Sequence, residues 1–149
     1  MNKLQRMTAL AGALLLLIAL LTGGLLASAM TGGSTATVHD VRAAHLNAIL
    51  GCFWICAYAA TMPMLGYGER GARRLAVLTV LPNYGNWFIT AIKSFLHVAG
   101  VGLDGDAKND GVFFALNVVV VIPSLLAAGA WVYGLYIRGP KAEASTLRQ

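Results

Sequence analysis

Charged residues are scarce in this sequence. They make up only 11% of the 149 residues, whereas hydrophobic residues make up 58%. An ordinary soluble domain carries roughly 25% charged residues, so the composition excludes that class and indicates an integral membrane protein. Four apolar runs reach the roughly 20 residues that a helix needs to cross the hydrocarbon. They cover residues 7–30, 45–67, 74–100 and 112–137.

We therefore predict an all-α membrane protein built as a four-transmembrane-helix bundle. The connections are about 10 residues each and leave no room for a soluble domain, so residues 1–149 are expected to form a single transmembrane domain. The first run follows Lys3 and Arg6, as a secretory signal would. Its apolar stretch exceeds the roughly 7–15 residues of a signal-peptide core, and we expect it to remain as the first helix.

Cysteine is almost absent. Cys52 and Cys56 are the only two, which is too few for a disulfide framework. In a membrane helix they are expected to act as small apolar residues. The sequence contains no Cys-x-x-Cys-His, which excludes the usual covalent attachment of haem.

Acidic residues are also few, and all six are expected to lie in connections or tails. A small four-helix exporter needs a carboxylate embedded in the membrane to couple transport. The transporter is therefore the weakest of the alternatives that we consider.

The charges also predict an orientation. Basic residues are in excess before the first run, between the second and third, and after the fourth: Lys3, Arg6, Arg70, Arg73, Arg74, Arg138, Lys141 and Arg148, with Glu69 and Glu143. The other two connections are neutral or acidic: Asp40, Arg42, Asp104, Asp106, Lys108 and Asp110. The positive-inside rule then places both termini in the cytoplasm, as in a bacterial inner membrane. Orientation accounts for the basic charge, and no nucleic-acid partner is expected.

The third run carries a stripe of polar residues. Asn83, Asn86, Thr90, Lys93 and His97 follow one another at spacings of three or four residues, so they share one face of a helix. Polar side chains in a membrane helix normally face the bundle interior or a wet cavity. The stripe is expected to line a pocket or a subunit interface. The alternative is that the amides bond across helices as structural contacts and that Lys93 reaches the membrane surface.

Depth connects this stripe with two other helices. With a rise of about 1.5 Å per residue, His45, Asn47, Lys93 and Asn117 are expected at one level of the outer leaflet. The aromatic side chains nearby are Tyr84, Trp87 and Phe88. Apolar walls with a few polar groups suit a small aromatic substrate or a flat cofactor.

Three short motifs make the sequence similar to a known family. They are Leu-Leu-Thr-Gly at residues 20–23, Ala-His-Leu at residues 44–46 and Asn-Tyr-Gly-Asn-Trp at residues 83–87. The chain resembles the hydroxylaminobenzene mutases and styrene oxide isomerases, and the mutases more closely. The resemblance implies a membrane enzyme that rearranges small aromatic molecules without net redox change. In the isomerase branch it further implies haem b at the subunit interface of a homotrimer, with His45 matching the axial ligand of the iron.

Two positions depart from the family pattern. The family has an asparagine six residues after the histidine, where this chain has Gly51, and the isomerase branch has a tyrosine at the position of Thr90. Asn47 offers another amide, but it lies two residues after the histidine instead of six. Because the isomerases steer an epoxide with the two missing residues, we do not expect this chain to isomerise styrene oxide.

The resulting hypothesis is conversion of an arylhydroxylamine to an aminophenol. His45, helped by Asn47, would hold the haem, and the iron would act as a Lewis acid. Tyr84 and Asn86 would orient the substrate, and Lys93 or Asn117 would stabilise developing charge. The alternative from another class is a non-catalytic subunit that binds haem or quinone for electron transfer or sensing.

Overall fold

The computed structural model describes residues 3–137 and contains four long helices. They are α1 (Lys3–Met30), α2 (Val38–Thr61, extended by a 3-10 turn, Met62–Met64), α3 (Glu69–Leu96) and α4 (Ala107–Tyr136). Each is long and apolar enough to cross a membrane, and no strand occurs within residues 3–137. The predicted all-α fold with four membrane-spanning helices is confirmed. The predicted basic residues Arg138, Lys141 and Arg148 lie outside the described part of the chain.

Helices α2 and α3 begin earlier than their apolar runs. Helix α2 begins at Val38, so Asp40 lies in its first turn, and Glu69 is the first residue of α3. Asp110 likewise belongs to α4. The expectation that every acidic residue lies in a connection or tail was therefore wrong. A hydropathy run stops at the first charge, whereas backbone hydrogen bonding continues past it. The Glu69 carboxylate reaches water at the membrane surface, while that of Asp40 is buried against Lys93.

The helices pack in chain order, and each is antiparallel to the next. Helix α2 lies between α1 and α3, while α4 packs mainly against α3. Gln5 Nε2 donates to the carbonyl of Ala59, and Tyr67 Oη donates to that of Ala130. These contacts place the start of α1, the start of α3 and the end of α4 at one end of the bundle, which we call the basic end because Arg70, Arg73 and Arg74 lie there.

Helix α4 contains a wide turn. Residues Leu116–Val121 form a π-helical segment, and Pro123 lies two residues beyond it. Proline has no N–H to offer the preceding turn, and π-helical segments of this kind are often found at functional sites. Helix α3 also contains a proline, Pro82, and continues through it.

The outer surface of the bundle is apolar. Leucines such as Leu21 on α1 and Leu50 on α2 are 69% and 65% exposed. The interior holds two clusters of buried residues, one near Tyr58 at the basic end and one around Leu15 and Ile55. A surface of this composition is suited to lipid, because the hydrocarbon is the solvent that these side chains contact.

Candidate functional site

The imidazole of His45 lies between α1 and α2. Its Nδ1 is 2.7 Å from the carbonyl oxygen of Ala19. A carbonyl oxygen can only accept a hydrogen bond, so Nδ1 carries a proton, and in the neutral imidazole the lone pair is then on Nε2. Within the described residues Nε2 has no hydrogen-bond partner, and the side chain is half-buried. This arrangement leaves Nε2 available as a ligand or a base.

Gly23 makes room for that ring. A methyl group built on Gly23 would lie 3.2 Å from Cε1 and 3.4 Å from Nδ1 of His45. A methyl group on the neighbouring Gly24 would meet nothing within 4 Å. The absence of a side chain at Gly23 therefore lets α1 approach the imidazole closely enough for Ala19 to hold it.

A second polar group lies between α2 and α3. Asn47 Nδ2 donates to Asn86 Oδ1 at 3.1 Å and to Thr90 Oγ1 at 3.3 Å, and Thr90 Oγ1 donates to Asn86 Oδ1 at 3.4 Å. We call these three residues the amide cluster. Thr90 is buried, while Asn47 and Asn86 are partly exposed. Among the described residues, Asn86 Nδ2 and Asn47 Oδ1 have no hydrogen-bond partner, so the cluster presents both a donor and an acceptor to a further molecule.

The amide of Asn83 lies next to Gly51. Its Nδ2 donates to the carbonyl of Thr79 at 2.7 Å. A methyl group on Gly51 would lie 2.9 Å from Asn83 Oδ1 and 2.9 Å from Leu15 Cδ2. A side chain at position 51 has no space, because the two neighbouring side chains already occupy it.

Tyr84 and Trp87 connect α3 with α1. Tyr84 Oη donates to the carbonyl of Ala11 at 2.7 Å, and Trp87 Nε1 donates to Thr22 Oγ1 at 3.0 Å. Both rings pack against the buried cluster around Leu15. The hydroxyl proton of Tyr84 is therefore used within the fold, whereas the sequence led us to expect this residue beside the substrate.

Lys93 forms a buried ion pair. Its Nζ is 3.0 Å from Asp40 Oδ1, and the two side chains are only 12% and 10% exposed. The same ammonium donates to the carbonyl of Ala99 at 2.9 Å. Sequence reasoning missed Asp40 because it was placed in a connection. Asp40 lies seven residues before Asn47. A helix predicted from Val38 onward would therefore have placed both residues on one face.

His97 and Thr37 complete this end of the bundle. Thr37 Oγ1 is 3.0 Å from His97 Nδ1, and the backbone N–H of Thr37 donates to the carbonyl of Ser94 at 2.8 Å. His97 has a φ of 55° and ends α3. The α3 stripe thus faces α2. Asn86, Thr90 and Lys93 bond to α2 itself. His97 bonds to Thr37 just before α2, and Asn83 bonds within α3 beside Gly51.

Asn117 does not meet the other predicted site residues. Its Nδ2 donates to the carbonyl of Phe113 in its own helix at 2.9 Å. His45 contacts α1, Asn47 contacts Asn86, and Lys93 contacts Asp40. The four residues therefore do not form the single polar layer that we predicted, and each makes its own separate contact. The antiparallel register explains this result, because it places Asp40 level with Lys93 and Asn47 level with Asn86.

Comparison with known proteins assigns a family. The family model of styrene oxide isomerase matches residues 4–136, which is nearly all of the chain. No curated protein matches it. The family is one of isomerases, in agreement with the motifs at residues 20–23, 44–46 and 83–87. The chain belongs to the styrene oxide isomerase family.

Proposed function

We propose that the protein is a membrane isomerase that converts an arylhydroxylamine to an aminophenol. The observation that carries the proposal is the geometry of His45, whose Nδ1 is bound to Ala19 and whose Nε2 is available. Family membership supports an isomerase. The amide cluster supplies polar groups suited to a small substrate with an N–O group.

The surroundings of His45 fit a haem ligand. Histidines that bind metals usually donate the other ring N–H to a carbonyl or carboxylate, which fixes the tautomer and the ring orientation. Ala19 provides that acceptor and Gly23 provides the space. We propose that Nε2 of His45 binds the iron of haem b, and the haem, when bound, would supply a Lewis acid for the oxygen or nitrogen of the substrate.

The amide cluster is proposed to orient the substrate. Asn86 Oδ1 accepts hydrogen bonds from Asn47 and Thr90, which fixes the amide, and its Nδ2 has no partner among the described residues. A fixed N–H donor stabilises negative charge that develops on a nearby atom during reaction. Asn47 therefore positions Asn86, a role that differs from the cofactor contact expected from the sequence.

The substrate and the product of the proposed reaction have the same molecular formula. The N–O bond of the arylhydroxylamine breaks, a C–O bond forms on the ring, and the proton displaced from the ring carbon is balanced by one gained at nitrogen. No external oxidant or reductant is needed. We assign Lys93 a structural role because Asp40 and Ala99 hold its ammonium group. We assign Tyr84 a structural role because its hydroxyl donates to the carbonyl of Ala11.

We further propose that the protein is a homo-oligomer. Asn47 and Asn86 carry polar atoms at a partly exposed surface in the membrane region, and hydrocarbon offers no hydrogen bonds to satisfy them. A neighbouring copy of the chain would cover this surface and enclose the substrate. We propose a homotrimer, the state implied by the resemblance.

An arylhydroxylamine is favoured over an epoxide as the substrate. The amide and the phenol with which the isomerases steer an epoxide are replaced by Gly51 and Thr90, and Asn83 and Leu15 leave no space for a side chain at position 51.

Product analysis tests the reaction. Purified protein is incubated separately with hydroxylaminobenzene and with styrene oxide, and products are identified by chromatography and mass. We expect an aminophenol of unchanged mass from the first substrate, loss of that product in His45→Ala, and little phenylacetaldehyde from the second. If neither substrate is consumed while haem remains bound, the non-catalytic haem subunit is the better description.

A further inference from the structure

An apolar groove lies between α3 and α4 near the basic end. It has a volume of about 500 Å³. Its apolar lining comes from Val77, Leu78, Leu81 and Pro82 of α3 and from Val119 and Pro123 of α4. Pro82, Pro123 and the π-helical segment lie at this level. The two helices touch where Gly85 meets Val119, and the groove lies beside that contact. Val77 and Leu81 are 52% and 62% exposed, so the groove opens toward the surface that lipid contacts.

Arginine side chains form one end of the groove. Arg73 and Arg74 line it, and the same two residues line a second cavity of about 310 Å³ together with Glu69 and Arg70. The apolar groove and the basic cavity therefore adjoin each other at these two arginines. Arg73 Nη2 is 3.3 Å from Glu69 Oε1. Arg70 and Arg74 have no ion-pair partner among residues 3–137, which leaves a net positive charge beside an apolar channel.

We propose that this groove and cavity together bind an anionic phospholipid. The phosphate would lie against Arg73 and Arg74, and an acyl chain would occupy the groove between α3 and α4. Arginine suits phosphate because its planar guanidinium donates two parallel hydrogen bonds to the oxygens. Basic pockets between membrane helices are typical binding sites for anionic lipid head groups.

The shape favours a lipid over a soluble anion. A soluble phosphate would use only the arginines and would leave the groove unfilled. The groove is lined by aliphatic and proline side chains and opens to the hydrocarbon, where acyl chains are the molecules present. The site is separate from His45 and the amide cluster, so the proposal is independent of the proposed reaction.

Lipid binding can be measured with the full-length protein in a mild detergent. Delipidated protein receives phosphatidylglycerol, phosphatidylcholine or glycerol 3-phosphate at equal concentrations. Bound lipid is counted by native mass spectrometry, and the midpoint of thermal unfolding is recorded. We expect phosphatidylglycerol to be retained and to raise the midpoint, while the other two have little effect. Equal effects of the two lipids, or an equal effect of glycerol 3-phosphate, would overturn the proposal.

Substitutions test the two halves of the site. Arg73→Gln with Arg74→Gln is expected to weaken phosphatidylglycerol binding about 30-fold, since each arginine near an anionic surface contributes about 1 kcal/mol. The matched control, Arg42→Gln with Lys108→Gln, removes the same charge from exposed positions at the opposite end and should not change binding. An equal loss in the control would contradict a specific site.

A second pair of variants tests the apolar groove. Leu81→Trp fills the groove and is expected to reduce phosphatidylglycerol retention at least several-fold. This variant keeps both arginines, so it tests the site even if the double arginine variant fails to fold. Leu126→Trp places the same ring at another exposed position on α4 and should retain the lipid. If Leu81→Trp changes the oligomeric mass and leaves lipid retention unchanged, the groove is a subunit interface and the lipid proposal is wrong.

Discussion

Lys93 Nζ and Asp40 Oδ1 lie 3.0 Å apart where the start of α2 meets the end of α3. The pair is almost fully buried, and it is joined there by the contacts of Thr37 with Ser94 and His97. These bonds fix the register of α2 against α3. The same register brings Asn47 to Asn86 and Thr90, so the ion pair helps to position the amide cluster without belonging to it.

Removing one partner of this ion pair should destabilise the protein strongly. Lys93→Met leaves the Asp40 carboxylate buried without a counter-charge, which typically costs about 3–5 kcal/mol. The double variant Asp40→Asn with Lys93→Met should recover most of that loss. Unfolding in a denaturing detergent measures the free energy. Glu69→Gln is the control, because the Glu69–Arg73 pair is exposed and such pairs contribute little.

The same double variant separates a structural from a catalytic role of Lys93. Once folded, it should keep its kcat within a few-fold of the original protein. A loss of about 100-fold or more in kcat, with unchanged stability, would return Lys93 to the catalytic role that the sequence first suggested.

Gly23→Ala should disturb His45 while Gly24→Ala should not. The new methyl group at Gly23 would approach Cε1 at 3.2 Å and weaken the bond from Nδ1 to Ala19, whereas Gly24 faces open space. We expect a lower haem content and a shifted Soret band in Gly23→Ala alone. Identical spectra for the two variants would show that α1 does not position the imidazole.

Asn86→Leu should lower kcat rather than raise KM. The amide is proposed to donate to an atom that gains charge during the reaction, and the loss of one such donor typically costs 10²–10³ in kcat. Steady-state kinetics with hydroxylaminobenzene provide the measurement. Thr90→Val is the milder comparison, since it removes the two hydrogen bonds of the Thr90 hydroxyl and leaves the amide of Asn86 with its bond from Asn47. A change confined to KM would mean that Asn86 contributes equally to binding of substrate and transition state.

Gly51→Ala should destabilise the fold. The methyl group would lie 2.9 Å from both Asn83 Oδ1 and Leu15 Cδ2, and overpacking of this kind costs about 1–3 kcal/mol. Gly129→Ala is the matched control, because a methyl group there meets nothing within 4 Å. If Gly51→Ala were as stable as the control, Asn83 and Leu15 would not restrict this position.

The number and approximate position of the helices could be predicted because long apolar runs have few alternatives in a membrane. The helix ends could not, since charged residues such as Asp40 and Glu69 continue a helix at the membrane surface. That error also hid the partner of Lys93. The polar stripe on α3 was predicted correctly as one face, because helical spacing alone determines it.

Contacts between helices were harder to predict. Nothing local in the sequence indicates that His45 faces Ala19 while Asn47 faces Asn86, because this depends on the order and register of packing. Asn117 was grouped with the site by depth, yet its amide bonds to Phe113 in its own helix. Depth places a residue along the membrane normal and leaves its direction around the helix open.

The absorption spectrum of the purified protein shows whether His45 binds haem. The protein is expressed with adequate haem, and the spectrum is compared with that of His45→Ala. We expect a Soret band in the original protein and its loss or marked reduction in the variant, with both proteins folded to the same extent. A protein without a Soret band, or a variant with an unchanged one, would contradict the assignment of His45 as the haem ligand.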